Sequence, residues 1–149
     1  MISKELQIWR AWEYLVLSDL LQHWIQCYET AQWVEYDIVA DIDWKLVRIQ
    51  VKTTSKMVIR WKKSKTPVYH FHTKRAGKWW NRLYKDNAFD YYALVCIEDK
   101  KIMYMKFEQD FNSISIRPRD SDFIERWNFG FKKSSYDDEY TFEKFINNI

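Results

Sequence analysis

The stretch that decides the fold runs from Trp33 to Thr53, WVEYDIVADIDWKLVRIQVKT. Both arms are rich in Val, Ile and aromatics, with the polar Asp41-Ile42-Asp43 between them, so it reads as a β-hairpin. A two-residue loop at Ile42-Asp43 sets Asp37 opposite Arg48 and Glu35 opposite Gln50. One face then carries Tyr36, Ile38, Ala40, Val47, Ile49 and Val51, all apolar, and it belongs to the core. The period of two assigns Glu35, Asp37, Val39, Leu46, Arg48, Gln50 and Lys52 to the other face. Asp37 and Gln50 become diagonal neighbours within about 7–8 Å, and Lys52 stands two residues further along the same strand.

Upstream, residues 3–26 follow a helical period. Leu6, Trp9, Val16, Leu17, Leu20 and Trp24 share an arc about 100° wide, with Lys4, Gln7, Ser18, Gln22 and Gln26 on the far side. Glu13 falls inside the apolar arc, four residues from both Trp9 and Leu17. A carboxylate aimed at a core calls for a cation, a metal or a hydrogen-bond network. Downstream, strands are expected at about 56–62, 67–73, 90–98, 101–107 and Ser113–Arg117, with a tight turn at Glu98-Asp99-Lys100. Residues 74–86 read as a short basic helix or a loop, and the tail from about 137 as a final helix.

The chain has 149 residues, 47% hydrophobic and 30% charged, with two Gly and two Pro. One domain is expected, with a core that needs no staples and no disordered or repetitive segment. Cys27 and Cys96 make no disulfide framework, so a reducing cytoplasmic setting is expected. The N-terminus lacks the apolar core of a signal peptide, and no apolar run approaches membrane-spanning length.

The net charge of +3 conceals a strong asymmetry. Residues 1–51 hold four Lys/Arg against eight Asp/Glu, and residues 86–149 hold nine against thirteen. Residues 52–85 hold eleven Lys/Arg and no acid, interleaved with Trp61, Tyr69, Phe71, Trp79, Trp80 and Tyr84. Clustered cations neutralise phosphates and release counterions, and aromatics stack on bases or pack beneath cationic stems. The expected partner is therefore a nucleic acid, gripped by Lys56, Arg60, Lys62, Lys63, Lys65, Lys74, Arg75, Lys78 and Arg82. The competing reading is a solvated basic surface over core aromatics.

An acid in a first helix, an acid on one strand and Q-x-K on its hairpin partner suit phosphodiester hydrolysis. That chemistry needs oxygen ligands for Mg²⁺, an activated water and a cation near the developing phosphorane charge. Asp37, Gln50 and the Val51 carbonyl can supply oxygens, and Lys52 can orient the water or stabilise the transition state.

With AWEYLVLSDLL, YDIVADIDWKLVRIQVKT and the later hairpin DYYALVCIEDKKIMYMKF in this order, the chain resembles the PD-(D/E)XK nuclease superfamily. Within it the resemblance is to the small homing endonucleases associated with group I introns, which are themselves similar to Holliday junction resolvases. The likeness covers roughly residues 5–107. By position, Glu13 matches the first-helix acid, Asp37 the motif aspartate and Lys52 the motif lysine. Gln50 departs from the usual Asp or Glu and removes one negative charge from the metal site, a substitution some homing members share. Glu13, or Glu35 on the same face as Asp37, can restore that charge. Tyr36 stands where the superfamily name has Pro.

The resemblance implies a restriction-endonuclease-like α/β fold with a mixed central sheet flanked by helices. It also implies Mg²⁺-dependent cleavage of double-stranded DNA, with Mn²⁺ substituting, that leaves 5′-phosphate and 3′-hydroxyl ends. Glu13, Asp37, Gln50 and Lys52 are the expected catalytic residues, and Asp37, Gln50, Glu13 and the Val51 carbonyl the expected metal ligands. A double-strand break requires two active sites, hence a homodimer or homotetramer. The alternatives are a junction resolvase and a DNA-binding module with a decayed metal site.

Other constellations are weaker. His23, Cys27, His70, His72 and Cys96 lack zinc-site spacing, and His70 and His72 read as contacts to phosphate or solvent. Two glycines cannot build a P-loop or a dinucleotide fingerprint. Ser135-x-x-Asp138 is a capping pattern, and Asn128–Phe131 carries no reading.

Overall fold

A computed structural model describes residues 3–31, 33–60, 62, 65–74, 84–108, 113–119 and 136–149. Its first element is helix α1, Lys4–Gln22, whose N-cap Ser3 accepts the Leu6 amide. The helix stops before the expected Gln26. Trp24 takes a left-handed φ of 63°. The Trp24 and Ile25 amides then close back on the Leu21 and Leu20 carbonyls. This is the Schellman closure that glycine ordinarily makes. With Trp in glycine's place the sequence carries no stop signal. Trp24 is 96% exposed and leaves the core, a correction to the apolar arc.

The chain then enters a strand that periodicity did not announce, β1 (Gln26–Glu29), followed by β2 (Ile38–Ile42) and β3 (Lys45–Thr54). β2 and β3 form the expected hairpin with Asp43-Trp44 as the turn, one residue later than read. Both turn residues have positive φ, 50° and 66°, as a type I′ turn requires. The sequence offers no signal for this turn, because Trp is disfavoured at a positive φ. The structure instead buries Ile42 and leaves Trp44 97% exposed. Along the paired residues the shift keeps side chains on their faces but changes the partners. Val39 rather than Asp37 is now opposite Arg48. Tyr36, ahead of the paired residues, is a correction: it packs beneath Arg48 with the cluster around Phe71 and Tyr92, and not on the Ile38 face.

The described residues of 56–62 do not form the expected strand, and Val58 and Val68 make an isolated antiparallel bridge. The remaining strands are β4 (Tyr69–His72), β5 (Tyr91–Cys96), β6 (Lys101–Lys106) and β7 (Ser113–Ile116). A five-stranded mixed sheet has the order β1-β2-β3-β5-β6, and β3 and β5 are its parallel neighbours. β4 and β7 pair as a separate antiparallel ribbon. The tail is a 3₁₀ turn, Asp137–Tyr140, followed by helix α2, Phe142–Asn147. Residues 75–83 of the expected basic helix or loop, Asn128–Phe131 and Ser135 lie outside the described residues.

Two apolar clusters sandwich the sheet. Val16 and Leu20 of α1 and Phe145 of α2 pack with Ile38, Val47, Ile49, Val51, Ala93 and Tyr104. On the other side Phe71, Ile114 and Ile116 of the ribbon pack with Tyr92, Leu94, Met103 and Phe89. Period two along β3 and β5 separates the clusters. β5 is buried on both faces, as its unbroken apolar sequence requires.

Candidate active site

The site is assembled where β2 and β3 leave the hairpin. Asp37, just ahead of β2, is pinned through its backbone: its amide donates to the Ile49 carbonyl at 2.9 Å, and its carbonyl accepts from the Thr30 amide at 3.0 Å. Its Oδ2 accepts two further bonds at 2.8 Å, from the Val51 amide and from Gln50 Nε2. The paired register ends at Ile38 opposite Ile49, and just beyond it the Gln50 side chain reaches Asp37. The Gln50 amide also approaches the Val51 carbonyl at 3.4 Å.

Lys52, on the same face of β3 as Gln50, donates from Nζ to the Tyr84 hydroxyl at 2.8 Å. Glu13 comes from α1. Only Val16 and Leu20, in the second half of that helix, are fully buried, whereas Leu6 and Trp9 are about half exposed. The first turns of the apolar arc therefore face an opening and not the core, a second correction to the sequence reading. Trp9, Glu13, Asp37, Gln50, Val51, Lys52, Thr53 and His72 line a cleft of about 280 Å³. A neighbouring cavity of about 320 Å³ shares Trp9, Glu13 and Asp37 and adds Arg10, Glu29 and Thr30.

Four sequence-expected groups and the Val51 backbone thus converge. Glu35, the other residue read as able to restore charge, is half-buried and does not line the cleft. Three cleft residues, Trp9, Thr53 and His72, were not read as such. Trp9 was assigned to the core by its period, and His72 to phosphate or solvent. Nothing local in the sequence could show that α1 overhangs the sheet or that the ribbon delivers His72 to the cleft.

The electrostatics are those of a site short of positive charge. Burial pushes the Glu13 carboxyl up to about 7, helped by the charges of Asp37 and Glu29 and opposed by Arg10. Burial also raises Asp37, against the Val51 amide and the Lys52 charge. Two carboxyls raised in one cleft, with the Val51 carbonyl and the Gln50 amide beside them, suit a hard divalent cation once a turn of the amide presents its oxygen in place of the nitrogen that faces Asp37. Among the described residues no group of three or more His, Cys, Asp or Glu gathers in metal-holding geometry. A cation here would therefore need Gln50 and the Val51 carbonyl as well as Asp37 and Glu13.

Arg48, expected opposite Asp37, turns to the next strand. It grips Asp90 with Nη2 at 2.9 Å and Nε at 3.1 Å, and its backbone amide donates to the same carboxylate at 2.8 Å. Of the expected nucleic-acid contacts, Lys56, Arg60, Lys62, Lys65 and Lys74 are exposed, while Lys63, Arg75, Lys78 and Arg82 lie outside the described residues. Arg60 Nη1 lies 3.1 Å from His70 Nε2, and His70 Nδ1 lies 2.9 Å from Ser115 Oγ. Because a guanidinium only donates, His70 is neutral with its proton on Nδ1. Burial and the Arg60 charge lower its pKa, in keeping with that state.

A family model described as PD-(D/E)XK endonuclease matches residues 23–126, which hold Asp37, Gln50 and Lys52. The solved structure of a bacterial homing endonuclease, I-Ssp6803I, matches with a TM-score of 0.59. It covers 82% of this chain and 84% of its own at 19% identity, so the likeness speaks for the fold. No curated protein sequence matches. With the mixed sheet, the hairpin carrying Asp37 and Lys52 and a family match over most of its length, this chain belongs to the PD-(D/E)XK endonuclease family.

Proposed function

We propose that the protein is a Mg²⁺-dependent, site-specific endonuclease of the homing type that hydrolyses phosphodiester bonds in double-stranded DNA. The observation that carries this reading is the convergence of Glu13, Asp37, Gln50, the Val51 carbonyl and Lys52 on one cleft. The acid-free basic segment 52–85 begins at that cleft and gives it an affinity for phosphates. The structural neighbour is a bacterial homing endonuclease, which supports the homing assignment.

Asp37, Gln50, Glu13 and the Val51 carbonyl would hold the cation. When bound, Mg²⁺ supplies Lewis-acid stabilisation of phosphoryl oxygen charge, and Mn²⁺ replaces it. The Lys52 ammonium, lining the same cleft, would offset charge that grows on the non-bridging oxygens of the scissile phosphate. Water attacks phosphorus, the bond to the 3′ oxygen breaks, and the products carry a 5′-phosphate and a 3′-hydroxyl. The exposed Lys56, Arg60, Lys62, Lys65 and Lys74 grip the backbone, with Lys63, Arg75, Lys78 and Arg82 contributing from the same acid-free stretch. One site cuts one strand, so a double-strand break uses at least a homodimer.

The test is a Mg²⁺ cleavage assay on a plasmid library with randomised inserts, beside a four-way junction, with Asp37→Asn as the blank. Cutting of rare duplex sites by the wild type alone is expected. Cutting of the junction alone would make the protein a resolvase. Binding without cutting in Mg²⁺ or Mn²⁺ would make it a DNA-binding module, the outcome to which Gln50 in an acid's place lends weight.

A further inference from the structure

Lys52 has a flexible four-carbon stem whose immobilisation costs rotamer entropy, so a catalytic ammonium at its tip needs a fixed partner. The partner seen is Tyr84. Its hydroxyl accepts from Nζ at 2.8 Å, and its ring centroid lies 5.1 Å from the same nitrogen, within cation–π range. Tyr84 is only 6% exposed, and its ring meets Phe89 edge-on with centroids 5.0 Å apart.

The segment that carries Tyr84 is tied to the strand that carries Lys52. The Ala88 amide closes a turn on the Lys85 carbonyl, and Arg48 holds the Asn87 carbonyl as well as Asp90. The Asp90 amide donates to the Arg48 carbonyl at 2.9 Å, directly before β5 aligns parallel with β3. Arg48 and Lys52 are on one face of β3, so residues 84–90 form a strap across that face. A residue present only to fill the second core would need no hydroxyl, and Phe would serve.

Resting on the reading of Lys52 as the catalytic cation, we infer that Tyr84 is a positioning residue that holds the Lys52 ammonium toward the cleft. Tyr84 closes the acid-free stretch at the end opposite Lys52 in sequence, so the two ends of the phosphate-binding segment meet at the reacting centre. The hydroxyl acts through geometry alone. It touches no substrate atom, and its loss should lower the rate of the chemical step without weakening DNA binding.

The experiment compares wild type, Tyr84→Phe, Tyr84→Leu and Lys52→Ala. Single-turnover cutting with Mg²⁺ is measured on the duplex recovered from the randomised plasmid library, and half-saturation of that duplex is measured in Ca²⁺. The lysine ammonium signals in a ¹H–¹⁵N spectrum of the metal-free protein give a readout independent of activity, with Lys52→Ala identifying the resonance. Tyr84→Phe keeps the ring and should melt like wild type. It should lose about tenfold in rate at unchanged half-saturation, as removal of a charge-assisted hydrogen bond implies. The Lys52 signal should broaden through exchange with water, and Tyr84→Leu should lose more rate. An unchanged rate and signal in Tyr84→Phe, or weaker DNA half-saturation at an unchanged rate, overturns the positioning role while Lys52 stays catalytic. Undiminished cutting by Lys52→Ala instead overturns the reading of Lys52, and the role of Tyr84 with it.

Discussion

Gln50, on the partner strand of the hairpin, donates its amide to Asp37 Oδ2 at 2.8 Å. Most members of the superfamily that this chain resembles would place a second carboxylate there, and in the metal-free protein it would repel Asp37. In the metal-free protein the amide therefore does part of what a bound cation would do. We expect Gln50→Glu to lower metal-free stability by about 1–3 kcal/mol, the scale for an unsatisfied buried polar group. The variant should also gain more from added Mg²⁺ than wild type does. Thermal melts in EDTA and in Mg²⁺ measure both effects, and equal melting in EDTA would show that the amide contributes no attraction.

Asp37→Asn and Lys52→Ala should separate cutting from binding. Each removes a charge at the reacting centre, where one stabilising contact is typically worth about 10²–10³ in rate. Gel shifts in Ca²⁺ should stay within a few-fold of wild type, because the exposed lysines of the basic segment supply the affinity. A parallel loss of binding and cutting would relocate both residues to the DNA grip.

Arg48 and Asp90 give a pH dependence that the catalytic groups do not share. Partial burial pushes the Asp90 carboxyl up, but the Arg48 hydrogen bonds and charge together outweigh it and leave Asp90 below its ordinary value. Its contribution to stability is then fully present above the ordinary carboxylate value near ~4 and is lost as pH falls through the depressed one. Asp90→Asn should melt a few degrees below wild type at pH 7, because the pair is about one-third exposed and solvent screening keeps its worth near ~1 kcal/mol. Melts repeated down to about pH 2 should converge. A gap that stays constant with pH would mean the loss is one of packing.

Trp44→Gly should stabilise the protein. Trp44 is almost fully exposed and held at a φ of 66°, a conformation costing a non-glycine residue about 1–2 kcal/mol. Asp-Gly is a favoured type I′ pair. A rise of a few degrees in melting temperature is expected, read by calorimetry. A fall would show that the Trp44 side chain is engaged in the folded state.

The hairpin, the final helix and the faces of β2 and β3 were legible because period-two and helical patterns are local. What sequence could not supply was positional: a turn one residue later than expected, a helix stopped by Trp24 where glycine was absent, and a strand β1 with only four residues to announce it. The same limit shaped the reading of the site. Asp37, Gln50 and Lys52 lie within one hairpin, so their convergence followed from its pleat even with the register misjudged, since a shift of the turn by one residue preserves the faces. Arg48's partner Asp90 and the cleft wall from His72 depend on contacts across the chain, and Trp9 was misassigned because its helix extends past the sheet.

The unequal anchoring of α1 also divides the site by rigidity. Gln50 and Lys52 ride on β3 where it pairs with β5, and Asp37 is pinned ahead of β2 by backbone bonds to Ile49 and Thr30. Glu13 comes from a helix fastened at Val16 and Leu20, and it lies before residue 23, where the family match begins. Backbone amides of residues 4–12 should exchange with deuterium faster than those of 16–22, while β3 exchanges last. Three members of the constellation would then act as a fixed jaw, and Glu13 as the jaw that adjusts to whatever enters between them.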